Sequence, residues 1–314
     1  MFLEELQING CFGLASFPEM GLPSVLRHLE IEGCQNLKSL PEGMMQKNTS
    51  LKFLLIDRCH SLTSFPKGGL PTSLEHLSIL YCSSLKSLPE RMQNNTSLKI
   101  LTIHECNSLK SFSRGGLPTS LEYIDINGCS RQQSLPEGMQ NNTSLKELNI
   151  EGCHSLTSFL REVWLPNTSL KYLKICDCEN LESLPEGLHN LKSLDDLKIK
   201  KCPLLMSFPE RGLPTTLKSL EITDCCNIES LLGLHNLTYL DHLEIKSCPG
   251  LMSFPEGGAE LPTNLINLHI EDCKDLEQPL SEEFSSQAIL QALEDKTMIE
   301  SPDCIEIAQK QCFL

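Results

Sequence analysis

The amino-acid sequence predicts an α/β repeat solenoid in which short strands build one parallel sheet. Two observations lead to this fold class. A nine-residue pattern, LxxLxIxxC, occurs twelve times along the 314-residue chain, at spacings of 23 to 25 residues. Aromatic residues make up only 5% of the chain, so its core must consist mainly of Leu and Ile. A period of this length is typical of solenoids, whose repeats bury their apolar residues only by stacking on their neighbours.

Each copy of the pattern supplies one short strand. The copies are LEELQINGC (3–11), LRHLEIEGC (26–34), LKFLLIDRC (51–59), LEHLSILYC (74–82), LKILTIHEC (98–106), LEYIDINGC (121–129), LKELNIEGC (145–153), LKYLKICDC (170–178), LDDLKIKKC (194–202), LKSLEITDC (217–225), LDHLEIKSC (240–248) and LINLHIEDC (265–273). Because side chains alternate along a strand, Leu and Ile should face inward, and the third, fifth, seventh and eighth positions should face solvent. This is the pattern of a leucine-rich-repeat horseshoe with a parallel concave β-sheet.

The other half of each repeat contains Pro and Gly and should return across the convex side as mostly irregular or short-helical chain. We place the solenoid at residues 1–276. Residues 277–314 leave the pattern and form an acidic tail, in which an amphipathic helix is expected at 281–295. The periodicity begins at Leu3 with no polar-faced cap before it, so we expect further residues to precede Met1 in the complete protein.

The repeat also explains most of the sixteen cysteines. Twelve of them close the pattern and should form a row, with sulfur atoms spaced like the strands at about 4.8 Å and with parallel Cβ vectors that do not suit disulfides. We predict buried, reduced thiols that donate weakly to backbone carbonyls. This structural cysteine ladder comprises Cys11, Cys34, Cys59, Cys82, Cys106, Cys129, Cys153, Cys178, Cys202, Cys225, Cys248 and Cys273.

One stretch, LTIHECNSL (101–109), places three residues of catalytic or metal-ligating type side by side. The repeat separates them, because Cys106 belongs to the buried ladder whereas His104 and Glu105 occupy solvent-facing positions. No catalytic triad, carboxylate pair or metal cluster is left once the repeat is subtracted. The sequence therefore predicts a protein that is not an enzyme and that needs no metal or cofactor.

Two groups of solvent-facing residues are candidates for binding a partner. The first is apolar or aromatic where polar residues would have served solubility: Phe53, Leu55, Leu80, Tyr81, Ile100, Tyr123 and Tyr172. The second is a basic patch on repeats eight and nine that could steer an acidic partner: Lys171, Lys174, Lys198, Lys200 and Lys201.

Charge and targeting signals limit the partners and the compartment. The net charge of −15 argues against nucleic acid, and no apolar run is long enough to cross a membrane. The N-terminus lacks the pattern of a secretory leader, so we expect a cytoplasmic or nuclear protein that is not secreted. Seven N-x-Ser/Thr triplets keep an extracellular, glycosylated receptor or inhibitor as an alternative, although we interpret their Asn residues as turn formers: Asn48, Asn94, Asn95, Asn141, Asn142, Asn167 and Asn236.

The segment SLPEGLHNLKSLDDLKIKKCPLLMSFPERGLP (183–214) resembles the C-terminal region of plant nucleotide-binding, leucine-rich-repeat disease-resistance proteins. The resemblance extends over about residues 3–276 and implies an intracellular role in defence. It implies recognition of a pathogen effector or a guarded host protein, and autoinhibition through the receptor's nucleotide-binding domain. No G-x-x-x-x-G-K-[ST] loop is present, so the chain would be the sensor part of a partial or truncated receptor. A substrate adaptor of a ubiquitin ligase is a second alternative.

Overall fold

A computed structural model gives the positions of most residues in the repeats. It describes residues 3–17, 22–40, 50–66, 68–110, 116–131, 141–158, 169–209, 211–231, 234–252, 262 and 264–273. The predicted helix at 281–295 and the rest of the tail lie outside the described residues, as do Asn48 and Asn167.

Every copy of the pattern forms a five-residue strand that runs from its third to its seventh position. The strands are β1 (Glu5–Asn9), β2 (His28–Glu32), β3 (Phe53–Asp57), β4 (His76–Leu80), β5 (Ile100–His104), β6 (Tyr123–Asn127), β7 (Glu147–Glu151), β8 (Tyr172–Cys176), β9 (Asp196–Lys200), β10 (Ser219–Thr223), β11 (His242–Lys246) and β12 (Asn267–Glu271). They form one parallel sheet in chain order, which confirms the predicted solenoid.

Neighbouring strands pair without any shift in register. Phe53 on β3 pairs with His76 on β4, which pairs in turn with Ile100 on β5 and then with Tyr123 on β6. Each position of the repeat therefore forms a straight row across the sheet. A one-residue slip would move every inward Leu and Ile to the opposite face, so burial of these residues fixes the register.

Among the described residues, the return segments carry short 3-10 helices at Met92–Asn94, Leu188–Asn190 and Leu234–Asn236. The described part of the chain contains no α-helix. The prediction of a mostly irregular or short-helical side is therefore confirmed, with the helical share limited to single turns.

One continuous apolar core fills the interior of the stack from Leu26 to Leu251. The fifth repeat is typical: Leu98, Leu101, Ile103 and Leu109 have no exposed surface. Burying a Leu or Ile side chain contributes roughly 1.5–3 kcal/mol, so the stability of the solenoid resides in contacts between neighbouring repeats.

The ladder cysteines line this core at the end of each strand. Cys106 Sγ lies 3.5 Å from the carbonyl oxygen of His104 in its own repeat and 3.8 Å from that of Ile79 in the preceding repeat. Cys129 repeats the arrangement with Asn127 and Ile103. The ladder thiols thus face backbone carbonyls, as the sequence predicted, and seven of them lie within 3.9 Å of a carbonyl oxygen in the preceding repeat.

The two ends of the ladder differ from its middle. Cys11 is exposed and Cys273 is only half-buried, so the prediction of a fully buried ladder is wrong at these positions. The reason is geometric: β1 and β12 each pair with a single neighbouring strand. For the same reason Leu6 and Ile8 of β1 are only partly buried.

Two asparagines of the N-x-Ser/Thr triplets are buried parts of the fold. Asn95 Nδ2 donates to the carbonyl of Pro71 at 2.7 Å, and its Oδ1 accepts from the backbone N–H groups of Ser97 at 2.8 Å and Leu98 at 2.7 Å. Asn142 makes the same three hydrogen bonds one duplicated unit later. The interpretation of these residues as turn formers is confirmed at both positions.

We predict that Cys225→Asp strongly destabilises the solenoid, whereas Cys226→Asp does not. Cys225 is fully buried and Cys226 is exposed, so the same substitution at adjacent positions tests burial alone. The buried carboxylate should lower the free energy of unfolding by at least about 3 kcal/mol, and the exposed one by about 0.5 kcal/mol or less. Chemical denaturation measures both, and equal losses would contradict the placement of the ladder.

We predict that stability falls as the pH rises above 9. Burial raises the pKa of Cys59 and Cys106 from 9.0 to about 11, and that of Cys129 and Cys153 to about 12. Above pH 9 the unfolded chain releases thiol protons that the folded chain retains, so their stabilisation is lost as the pH climbs through the folded-state values. Urea unfolding between pH 8 and about pH 10 should show the decline, and Cys106→Ala should lessen its slope by up to about 1.4 kcal/mol per pH unit. An unchanged slope would show that this thiol titrates normally.

We predict that Asn95→Ala destabilises the fold by about 2–3 kcal/mol, because it removes three hydrogen bonds and leaves buried backbone groups without partners. Asn94→Ala is the matched control, since Asn94 is the neighbouring residue and its side chain is exposed. Thermal unfolding of the two variants compares them directly. A loss of equal size at both positions would argue against the buried role of Asn95.

Candidate protein-binding face

The eighth position of the repeat adopts the left-handed backbone conformation in all twelve copies, with φ between 49° and 65°. Four copies have Gly there, and the other eight carry larger side chains, among them Arg58, Tyr81 and Lys201. The sequence pattern predicts a solvent-facing strand residue at this position. It lies instead in the turn that leaves the strand, along the C-terminal edge of the sheet.

This turn extends the strand ladder by one hydrogen bond. The backbone N–H of Tyr81 donates to the carbonyl oxygen of His104 at 2.8 Å, and that of Glu105 donates to Asn127 at 2.8 Å. The left-handed residue therefore holds its side chain at a fixed place beside the solvent-facing side of the sheet. A residue other than Gly is disfavoured in this conformation by roughly 1–2 kcal/mol, and Tyr81 shares this cost with seven other residues at the same repeat position.

Tyr81 is the most exposed of the predicted apolar residues. Its side chain is 44% exposed, and the guanidinium of Arg58 lies over its ring, 5.4 Å from the ring centroid. Arg58 is itself oriented by Asp57 at 2.9 Å and Glu32 at 3.1 Å. Tyr81 is therefore held by a cation–π contact and presents its free edge to solvent.

Phe53 lies in a stack of rings on the third-position row. The imidazole of His28 lies parallel to Phe53 at a centroid distance of 4.2 Å, and His76 flanks its other side at 4.7 Å. Burial, reinforced by the nearby His28, lowers the pKa of His76, so this ring is neutral at physiological pH. The row continues with Ile100 and Tyr123, both half-buried.

Of the three remaining apolar residues predicted to bind a partner, two lie beside Phe53 and Tyr81 and one lies apart from them. Leu55 and Leu80 are half-buried on β3 and β4, beside Phe53 and Tyr81. Tyr172 does not join them, because Glu147 on β7 lies between it and Tyr123 in the row. We therefore define the apolar face as six residues on β3–β6 and the turn after β4: Phe53, Leu55, Leu80, Tyr81, Ile100 and Tyr123.

The exposed Arg58 lies at the edge of the apolar face, over Tyr81, whereas the fifth-position row in its middle, on β3–β5, is uncharged. Leu55 is followed along the fifth-position row by Ser78, which is buried, and by Thr102. Asp57 lies two residues after Leu55 on β3, and it is also buried. Burial raises the pKa of Asp57, and the adjacent Arg58 acts in the opposite direction.

Tyr123 marks the border between the apolar face and polar surface. Its hydroxyl donates to Asp125 Oδ2 at 3.3 Å and accepts from Asn149 Nδ2 at 3.2 Å. Burial and the carboxylate of Asp125 raise the pKa of this phenol. The ring is thus oriented by its hydroxyl and is half-buried.

Three of the five lysines in the predicted basic patch form ion pairs with acids on adjacent strands. Lys174 Nζ lies 2.7 Å from Glu151, and Lys198 and Lys200 both contact Glu221. Burial disfavours ionisation of Glu221, but hydrogen bonds from Lys200 and Lys198 outweigh it and lower the pKa of this carboxyl group. These contacts balance most of the local positive charge. Lys171 precedes β8 and Lys201 follows β9, and both are exposed.

A row of ion pairs that the sequence analysis missed runs along the other edge of the sheet. The second position of the pattern is charged in eleven of twelve copies. Lys52 contacts Glu75 at 2.8 Å, Lys146 contacts Glu122 at 2.6 Å, and Lys218 contacts Asp195 at 3.1 Å. The recurrence of charge at one repeat position was the signal for it. Such exposed pairs add little stability, but they keep this edge polar.

His104, Glu105 and Cys106 do not converge on a common point. The thiol of Cys106 is in the core, Glu105 lies in the left-handed turn, and His104 Nε2 lies 3.1 Å from Asp125 on β6. The prediction that the repeat separates these three residues is confirmed. Among the described residues, no helix has the length and apolar character needed to span a membrane.

The chain is similar to several known leucine-rich-repeat proteins. The family model described as R13L1/DRL21 LRRs matches residues 127–202, which lie in repeats six to nine. No curated protein matches the chain. Among solved structures, the leucine-rich repeat domain of the type III effector XopL is 22% identical, with a TM-score of 0.45 over 85% of this chain and 76% of that one.

Two other solved structures show the same kind of likeness. The leucine-rich effector YopM from Yersinia pestis is 26% identical, with a TM-score of 0.44 over 85% of this chain and 79% of that one. A leucine-rich repeat protein from Bacteroides ovatus is 18% identical, with a TM-score of 0.32 over 86% of this chain and 81% of that one.

Proposed function

We propose that the chain is a protein-recognition solenoid and that the apolar face is where its partner binds. The observation that carries this proposal is a set of six apolar or aromatic side chains that lie together on β3–β6 and the turn after β4, with the exposed Arg58 at one edge of the set, over Tyr81. Repeat solenoids offer extended concave surfaces of this kind, and Tyr is a favoured anchor at protein interfaces.

The partner class follows from the resemblance of residues 183–214 to plant disease-resistance receptors. We propose that the chain is the sensor part of an intracellular immune receptor, which recognises a pathogen effector or a guarded host protein and restrains the receptor before infection. In this role it works in the cytoplasm or nucleus and catalyses no reaction. Contact with the nucleotide-binding domain of such a receptor would bring about the restraint.

The extracellular alternative loses part of its support. Asn95 and Asn142 are 4% and 2% exposed, and their side-chain nitrogens already donate to backbone carbonyls. A glycan on either nitrogen is incompatible with the folded repeat. The ubiquitin-ligase alternative is distinguished by its partners, which would be subunits of that complex.

We predict that Tyr81→Ala and Tyr123→Ala each weaken partner binding by at least about tenfold, as expected for aromatic anchors at an interface. The partner is first identified by cross-linking and mass spectrometry in plant tissue expressing the chain, and the affinity is then measured with purified proteins. Tyr239→Ala is the control, because Tyr239 is 63% exposed but lies outside the strands.

The experiment tests the binding site and the immune-receptor role separately. Unchanged affinity in both Tyr81→Ala and Tyr123→Ala, with the fold intact by circular dichroism, would remove the apolar face as the binding site. Recovery of ubiquitin-ligase subunits or of secreted proteins, in place of an effector, a host target or a nucleotide-binding domain, would overturn the immune-receptor role.

A further inference from the structure

The C-terminal edge of the sheet contains a notch beside β6 and β7. The left-handed positions of these two repeats are Gly128 and Gly152, so no side chain fills the edge there. The open space has a volume of about 250 Å³, and its lining includes Glu105, His154 and Asp177. A Cβ atom on Gly128 would collide with the carboxylate of Glu105, and one on Gly152 would lie 3.2 Å from the backbone nitrogen of Gly128.

Three side chains of metal-ligating type meet at one end of this notch. His154 follows the ladder cysteine of the seventh repeat, and Asp177 and Glu179 flank the ladder cysteine of the eighth repeat. One imidazole nitrogen and one oxygen from each carboxylate all lie within 4.8 Å of one another. Ligands of a tetrahedral zinc ion lie about 3.4 Å apart at bonds of about 2.1 Å, so zinc would draw these atoms slightly closer together.

The polar groups at this point lack other strong partners. His154 Nδ1 is shielded from solvent and forms no hydrogen bond within the part of the chain that the structure describes, and Glu179 Oε2 lies 3.8 Å from it. Neither Asp177 nor Glu179 forms an ion pair with a Lys or Arg among the described residues. By contrast, the neighbouring Glu151 is paired with Lys174 at 2.7 Å.

One imidazole and two carboxylates together indicate which metal ion the site would bind. Carboxylates alone would suit calcium or magnesium, but an imidazole nitrogen favours zinc and other late divalent transition metals. The backbone also holds the donors in place, because Asp177 sits in the left-handed turn with φ of 53° and the two repeats are joined by the β7–β8 ladder. We propose that His154, Asp177 and Glu179 bind one zinc ion, with water completing its coordination.

This site departs from the expectation that the chain needs no metal. The three ligands are not a sequence motif: His154 and Asp177 belong to different repeats and are brought together only by stacking. A bound ion would link the seventh and eighth repeats at the edge of the sheet. The proposal does not depend on the apolar face.

The test is a zinc titration of the full chain after removal of metals with a chelator. Isothermal titration calorimetry should show one zinc ion per chain, and His154→Ala should weaken binding by at least about tenfold, since even loss of a group that only orients a ligand costs 10–100-fold. His60→Ala is the matched control and should bind zinc as the wild type does. His60 occupies the same repeat position, but its neighbour is Ser83, whose hydroxyl lies 3.3 Å from its ring.

Two further variants keep the result clear if His154→Ala proves unstable. Asp177→Asn, which tolerates the left-handed conformation, and Glu179→Gln should each reduce affinity while the unfolding midpoint without metal stays unchanged. Absence of zinc binding by the wild-type chain would overturn the proposal. Binding that none of these variants weakens would also overturn it, as would a thiolate charge-transfer absorption with cobalt as the probe, because that signal would place the ion on cysteine.

Discussion

The structure depends on the turn in which each strand ends. There the left-handed eighth residue donates its N–H to the next repeat, and in seven repeats the ladder thiol that follows it faces a carbonyl of the preceding repeat. This turn therefore connects a repeat to its neighbours on both sides. Since a single repeat cannot bury its own Leu residues, these connections in register allow the apolar core to form.

The same turn distributes functional side chains along the sheet. A backbone hydrogen bond to the next repeat fixes this turn. The residue at the eighth position therefore lies at the same end of the sheet in every repeat. Tyr81 in this turn extends the apolar face beyond the strand, whereas Gly128 and Gly152 open the edge where His154 and Asp177 meet. One structural constraint thus leaves twelve positions at which side chains can vary without disturbing the core.

The strands, their register and the burial of most ladder cysteines were predictable from the sequence. Apolar residues alternate within each copy of the pattern, and copies that recur every 23 to 25 residues can stack in register as one parallel sheet. The left-handed turn was missed, although Gly10, Gly33, Gly128 and Gly152 at one position were a signal for it. Contacts between repeats were harder to predict. The separation of Tyr172 from the apolar face by Glu147, and the pairing of Lys198 and Lys200 with Glu221, depend on which residue of the next repeat lies opposite.

The most direct test of the stacked ladder is alkylation of cysteines in the native chain, followed residue by residue with mass spectrometry. The account predicts rapid labelling of the exposed Cys226, and protection of Cys59, Cys106 and Cys129 until denaturant unfolds the stack. Their raised pKa values of about 11 to 12 add to this protection, because the thiolate is the reactive form. Labelling of these three residues at the rate of Cys226 under native conditions would contradict the account.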